Sequence, residues 1–270
     1  MSLRQLVLSL ATLPLKFGFF AAWLTLFVVW ERLLPAAAKP KNLTLKPSTR
    51  IGGNVTLGAI NALLWMTVTL PITVIAIGQA TEHGFFDWRG PWAAGWAGLL
   101  IDIVILDFVA YFLHRSSHEV PLLWRFHEVH HRDEFLDVTT GLRFHFGEIV
   151  FGSIFRAVIV CGGAMPLEHV IVFDLLIMAM NWFSHSNIKL PVVFHRALSH
   201  VIATPWYHWV HHKATQPESE QNYAVIFVFW DKIFGTRAER GRRIGSLLGV
   251  RHQNDVPLGH LLILPFQKRE

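Results

Sequence analysis

The sequence predicts an all-α, multi-pass membrane bundle of about four spans, or three plus a hairpin, with a cytosolic helical cap. Three observations predict it. Hydrophobic residues make up 52% of the 270 positions and charged residues only 16%, a balance far from that of soluble globular chains. Apolar runs recur at lengths close to the ~20 residues that a helix needs to cross ~30 Å of hydrocarbon. Thirteen of the sixteen histidines lie between His114 and His212, at the ends of apolar runs and in the mixed segment beyond them. The single cysteine, Cys161, excludes an intramolecular disulfide framework and thiolate-rich metal sites. The net charge of +5 sits in segments flanking the apolar runs. It fits cytoplasmic loops and anionic headgroups rather than nucleic acid.

The first expected span is Leu15 to Leu34, containing "FGFFAAWLTLFVVW". Its apolar character continues past Lys16 for a full spanning length with no A-x-A-like site, so a cleaved signal peptide is not expected. The loop "PAAAKPKNLTLKPSTRIGG" carries Lys39, Lys41, Lys46 and Arg50 and no acidic residue, which assigns it to the cytoplasm. A second span, Val55 to Gln79, leads outward to the connector "TEHGFFDWRGPW", and a third, Ala93 to Leu113, returns. His114 then falls at the cytoplasmic face. Two shorter runs, Ile149 to Gly162 and Leu167 to Phe183, are joined by the turn signal "CGGAMP" and form a hairpin that either dips into or crosses the bilayer. From Ser184 the chain turns mixed and basic, and forms the rest of the cap.

The histidines fall into spaced boxes: His114-x-x-x-His118, His127-x-x-His130-His131 and His208-x-x-His211-His212. On a helix, positions i, i+3 and i+4 share a face, so each box is expected to converge on one point. A lone histidine is usually a core residue with one satisfied hydrogen bond, but eight at repeated helical spacing are not independent. Packed without metal they would become mutually repelling imidazolium ions or strongly depressed neutral rings. A shared metal removes the conflict. Zinc, copper, nickel and iron all accept imidazole, and a structural zinc takes four ligands, so eight or more imply two ions. Two nitrogen-ligated, redox-capable ions beside a bilayer favour iron and dioxygen.

The run "DFVAYFLHRSSHEVPLLWRFHEVHH", followed by "GLRFHFGE", "NWFSHSN", "WYHWVHH" and "NYAVIFVFWDKIFGT", resembles the signature of the fatty acid hydroxylase and sterol desaturase superfamily of integral membrane oxygenases. The match covers about residues 100 to 236, in order; the first hundred residues match only as generic spans. The resemblance implies a di-iron centre on the cytosolic side of a helical bundle, with dioxygen as cosubstrate and a lipid C–H bond as target. It adds His185 as a ninth ligand beside His114, His118, His127, His130, His131, His208, His211 and His212. It also makes Asn181, one turn before His185, a polar group that reaches the metal through water. In "RFHFGE" the family more often has proline after the histidine, and His145 is therefore read as a supporting or structural residue. The implied organisation is N-terminal transmembrane helices over 1–92, a hydroxylase-like catalytic domain over 93–236 and a basic cytosolic tail over 237–270.

Asp107 lies in the third span on the face of His114. A carboxylate inside a membrane is a functional candidate, here to accept a hydrogen bond from a ligand imidazole or to hold an arginine. Asp102 is expected to line a polar seam between helices, and Glu148 and Asp231 to brace the cap. His83, His169, His252 and His260 lie outside any box and are read as non-ligands.

The expected function is O2-dependent hydroxylation of an unactivated C–H bond in a lipid drawn from the bilayer, through a pocket that ends at the histidines. The segment "WFSHSNIKLPVVFHRALSHVIATPWYHW" is expected to line its entrance with aromatics. Desaturation at the same di-iron site is the alternative, which ligand spacing does not separate. A histidine-rich metal transporter, or a membrane protein with a zinc-stapled cap, are rivals from other classes; transit would place histidines along the depth of the spans. No electron-donor motif is present, so electrons come from a separate protein or a reduced pterin. Arg237, Arg240, Arg242 and Arg243 contact headgroups or dock an acidic carrier. "QKRE" is not a recognised retention signal and does not choose between a bacterial inner membrane and an endomembrane; small size without a fused donor favours the bacterial inner membrane. Acyl chain, sterol, alkylglycerol ether, carotenoid and aminolipid all remain open as substrates, because chain recognition is shape in an apolar pocket.

Overall fold

A computed structural model describes residues 13–82, 89–90, 93, 95–215, 218–238 and 246–268. Their regular elements are all helical, with three isolated bridges, such as Pro35 with Ile188, in place of any strand among them. Among the described residues, three helices are long and apolar enough to cross a membrane: Pro47–Ala80, Trp96–Glu119 and Leu167–His185. Exposed Leu63, Ile75, Leu100, Ile154 and Val158 form the apolar exterior that a bilayer covers.

Helix α1, Leu13–Leu33, packs Phe27 against Trp182 and Val138. Trp23 Nε1 donates to the Ala179 carbonyl at 3.1 Å, and Glu31 accepts from the Val138 and Asn187 amides. The next helix differs from expectation. It begins at Pro47 rather than near Val55 and runs as α2, Pro47–Leu64, a π turn, Trp65–Thr69, and α3, Leu70–Glu82. At 1.5 Å per residue its 36 residues extend ~54 Å, well beyond the ~30 Å of a bilayer's hydrocarbon. Hydropathy assigns "PSTRIGGN" to a loop because Arg50 and Asn54 are polar, yet both are buried. The π turn has a cause in Pro71, which lacks the amide hydrogen that would bond four residues back.

Helix α4, Trp96–Glu119, carries the third span six residues past its expected end. Val120 is extended and Pro121 opens α5, Pro121–His131, where a missing N–H costs nothing. The hairpin is α6, Phe146–Gly162, and α7, Leu167–His185. Leu106 of α4, Val160 of α6, and Val170 and Phe173 of α7 form the core between them. Short helices α8, Val192–Leu198, α9, Pro205–His211, α10, Phe229–Ile233, and α11, Leu258–Ile263 complete the cap. Residues 246–268 pack onto it: Leu261 joins Leu57 and Val129 in one cluster.

Beneath that cluster lies a buried ion network. Arg50 donates to Asp133 at 2.5 and 2.9 Å and to Asp137 at 2.6 Å. Arg143 donates to the Val129 carbonyl at 2.8 Å and holds Asp255 through both terminal nitrogens. Asn54 joins the two halves, donating to Asp133 and accepting from Arg143. Burial works against the Asp133 carboxylate, but Arg50 and Arg143 outweigh it and hold the group below its ordinary range. This network clamps the loop that follows α5 onto the start of α2.

Candidate metal centre

Four helix ends meet at the top of the bundle. α4 brings His114 and His118, α5 brings His127, His130 and His131, α7 ends on His185, and α9 brings His208 and His211 with His212 just after it. Thr204 caps α9 through the Tyr207 amide and Pro205 fixes its first turn. All nine rings come together in two groups. His114, His118, His127, His131 and His211 form one; His130, His185, His208 and His212 form the other. Within each, the nitrogens that could bind one ion lie within 4.8 Å of one another.

The boxes therefore do not each converge on one point, as helical spacing suggests. Residues i and i+4 stay together, as in His127 with His131 and His208 with His212, while the i+3 member crosses to the other group. Adjacent positions diverge by ~100° around a helix axis, and a helix seated between two sites serves both.

The outer nitrogen of most rings is fixed by the backbone or a carboxylate. His114 Nδ1 lies 2.7 Å from the Tyr223 carbonyl, His211 Nδ1 2.9 Å from that of Gln221, and His185 Nδ1 2.6 Å from that of Asn181. His130 Nδ1 lies 3.2 Å from the Arg143 carbonyl, and His127 Nδ1 2.8 Å from Glu148 Oε1. A carbonyl only accepts, so each ring so held carries its proton on Nδ1 and turns the Nε2 lone pair inward.

These inward atoms test whether a metal fits. His130 Nε2 and His185 Nε2 are 2.9 Å apart, although both outer nitrogens are already donors. Two lone pairs at hydrogen-bond distance need a cation between them. It is not a proton taken up by His130, because burial and then the His185 and His127 rings push that group well below the ordinary value of 6.5. Burial first, and neighbouring imidazoles second, do the same to His131, His208, His211 and His212. In the five-membered group, Nε2 of His127, His131 and His211 and both nitrogens of His118 are buried without a hydrogen-bond partner. Convergent in two groups, the nine rings suit two ions, and neighbours 2.9–3.1 Å apart have the spacing of adjacent ligands on bonds of ~2.1 Å.

Other expected residues fall differently. Asp107 touches no histidine and no arginine. It accepts from the Ile226 and Phe227 amides, both at 3.1 Å, and from Trp230 Nε1 at 2.9 Å, fastening the loop before α10 to α4; the reading of it as partner to a ligand or an arginine is corrected accordingly. The Asn181 amide group donates to the Gly141 carbonyl at 2.5 Å and its backbone carbonyl meets His185 Nδ1 at 2.6 Å, while the residue lines the cavity beside His185. Asp102 forms the expected seam, paired with Arg89 and with His169, each at 2.6 Å. Asp231 collects the Tyr223 and Ala224 amides, Tyr207 and Thr236. His145 caps α6 through the Gly147 amide, and neither it nor His169, His252 or His260 joins a group. Arg237 lies over the Tyr207 ring at 6.0 Å. His83, Arg240, Arg242 and Arg243 lie outside the described residues. The sequence reading gave Glu148 only a bracing role, and nothing local marks the carbonyls that orient the rings.

A cavity of about 580 Å³ runs from His114, His127, His130, His185 and His208 between α2, α4, α6 and α7. Leu106, Val109, Leu113, Phe173, Ile177 and Met178 make most of its wall apolar. Of the segment expected to form its entrance, Trp182, Ser184, His185 and His208 line it, whereas Phe194 and Trp206 do not.

The fatty acid hydroxylase family model matches residues 99–236, which hold every histidine of the centre. An ornithine lipid hydroxylase, OlsE, of Rhizobium tropici is 26% identical over 219 residues, 80% of this chain and 64% of that protein. The alkylglycerol monooxygenase of Homo sapiens is 27% identical over 165 residues, 61% of this chain and 34% of that protein. A very-long-chain aldehyde decarbonylase, GL1-6, of Oryza sativa subsp. indica is 27% identical over 160 residues, 54% of this chain and 24% of that protein. The chain thus spans less than two-thirds of the length of these curated relatives. No solved structure matches it. With a family match over more than half its length, centred on the helices that carry the nine histidines, the chain belongs to the fatty acid hydroxylase family.

Proposed function

We propose that the protein is a membrane-bound di-iron oxygenase that uses dioxygen to hydroxylate an unactivated C–H bond of a lipid. The observation that carries this reading is an apolar cavity between the long apolar helices that ends on a double group of histidines. The names of the relatives, an ornithine lipid hydroxylase and an alkylglycerol monooxygenase, support the reaction class.

His114, His118, His127, His131 and His211 would hold one iron and His130, His185, His208 and His212 the other. When bound, the pair supplies the reductive activation of dioxygen that an unactivated C–H bond requires. The chain does the rest. Burial keeps His130, His131, His208, His211 and His212 neutral before metal arrives, so binding releases no proton from these rings. Glu148 keeps the His127 proton on Nδ1, and the carbonyls of Tyr223, Gln221, Arg143 and Asn181 set the planes of four more rings. Leu113, Phe126, Ile177 and Met178 exclude water and hold a methylene beside the histidines. Electrons come from a separate protein or a reduced pterin. Residues 93–236 form the catalytic unit, completed by Asn61, Trp65 and Thr69 in the cavity wall. The centre faces the cytoplasm, in a bacterial inner membrane.

Anaerobic purification, metal analysis and Mössbauer spectroscopy test the cofactor; incubation with lipid extract under 18O2 tests the reaction. Two coupled irons per chain and a lipid product carrying one 18O are expected. One tightly held zinc without iron, or no O2-dependent product from the iron-loaded protein, overturns the reading, and an olefin without label redirects it to desaturation.

A further inference from the structure

The wall of the cavity is not apolar throughout. Away from the histidines it is lined by Arg156 of α6, Asp174 of α7, Ser153, and Trp65 and Thr69 of the π turn. Arg156 Nη1 donates to Asp174 Oδ1 and Nη2 to Thr73 Oγ1 at 3.2 Å, Trp65 Nε1 donates to Asp174 Oδ2 at 3.3 Å, and the Thr69 and Ser153 hydroxyls meet at 2.6 Å. The two charged side chains are 15% and 13% exposed.

An ion pair among apolar helices is a poor stabiliser. Its desolvation offsets its attraction, and hydrophobic residues of similar volume hold helices together as well or better. Charged groups at bilayer depth mark functional sites by default. This pair is also incompletely used: Asp174 and Thr73 take one hydrogen each from Nη1 and Nη2, so the guanidinium, with five N–H donors, keeps donor capacity.

We propose that Arg156 and Asp174 seat a neutral hydrogen-bonding group of the substrate, a hydroxyl or an amide, and so fix how far along its chain the histidines act. The proposal rests on the lipid-oxygenase reading and specifies its substrate as a linear amphiphile. The opposite charges cancel, and they offer a donor and an acceptor side by side with two hydroxyls. That set suits a group that both gives and takes a hydrogen bond. A carboxylate would meet Asp174. Arg156 lies eight residues along α6 from Glu148, the carboxylate on His127, and Asp174 lies eleven residues along α7 from His185. At 1.5 Å per residue these separations are ~12 and ~16 Å. An extended chain rising ~1.3 Å per carbon, on carbon–carbon bonds of ~1.5 Å, covers them with about ten to thirteen methylenes.

The test is native mass spectrometry of the anaerobic, iron-loaded protein with equal concentrations of 1-dodecanol, dodecane or dodecanoate. The wild type should retain dodecanol roughly tenfold more than dodecane, about the worth of one hydrogen bond to a charged group, and more than dodecanoate. Arg156→Met/Asp174→Leu, which leaves no charge unpaired, should bind dodecanol and dodecane alike. Thr73→Val keeps the ion pair but releases a second guanidinium donor, and should widen the preference for dodecanol several-fold, which guards against a double variant that fails to fold. Equal binding of dodecanol and dodecane by the wild type, stronger binding of dodecanoate, or a preference that survives the double variant overturns the proposal alone. Failure of all three probes to bind overturns the lipid reading with it.

Discussion

Two buried polar clusters meet where the His130 ring reaches the Arg143 carbonyl, and they are built on opposite principles. In the cluster of Arg50, Asp133, Asp137, Arg143, Asp255 and Asn54, cations face anions and each guanidinium is held by several acceptors. In the nine-histidine cluster, like faces like, and Nε2 of His127, His131 and His211 have no partner. The first is complete as it stands, as a scaffold is. The second is complete only around cations, so its incompleteness is what marks it as the working site.

The strongest way to break this contrast is to remove one ring. His212→Ala should leave a folded membrane protein with fewer than two metals per chain, and turnover should fall by more than ~10⁴-fold, or over ~5 kcal/mol of activation free energy. Metal analysis beside thermal unfolding separates the effects, and full activity in that variant would strike His212 from the ligand set.

Acid should expose the same asymmetry in metal-stripped protein. The folded-state values of His130, His131, His208, His211 and His212 are lowered well below 6.5 by burial. Below about pH 6.5 the unfolded chain takes up protons that the folded rings refuse, so stability is full above that pH and drains as pH falls, by ~1.4 kcal/mol per ring for each unit. Unfolding temperatures in detergent at pH 8, 6.5 and 5 should be level and then drop; a level profile down to pH 5 would contradict the neutral, desolvated cluster.

The scaffold responds in the other sense. Arg50→Met strands Asp133 and Asp137 without their cation and should cost about 3–5 kcal/mol of stability, read as a lower unfolding temperature in metal-free and metal-loaded protein alike. A loss seen only with metal bound would move Arg50 into the site. The smallest effect is expected at the boundary. Glu148→Gln keeps an acceptor for His127 but drops its charge, and should weaken metal affinity 10–100-fold while sparing the fold; unchanged affinity in a chelator competition would make Glu148 a brace alone.

The contrast also divides what the sequence could convey. The nine histidines stand out because their spacing is local, and the spans because their hydropathy is a sum over neighbours. The i+3 crossover between groups is not local, since it depends on which sides of α5 and α9 face each site. The scaffold is hidden for a related reason. Arg50 and Asn54 look like loop residues until Asp133, some eighty positions later, folds onto them. Asp107 stands on the histidine face by periodicity, but the amides of Ile226 and Phe227 claim it. Arg156 and Asp174 sit singly in "GSIFRAVIV" and "IVFDLLIM", where one charge barely changes an apolar average.

The π turn at Trp65–Thr69 has a consequence for how this cavity can change over time. A π turn is equivalent to one residue inserted into an α-helix without displacing either flank. Arg50 can thus stay locked to Asp133, and Thr73 to Arg156, while chain length between them varies by one. Insertion or deletion at this turn, rather than substitution, would add or withdraw a side chain from the wall. Two homologues with the same cap and the same histidines could then differ in the lipid they accept through a single codon gained or lost.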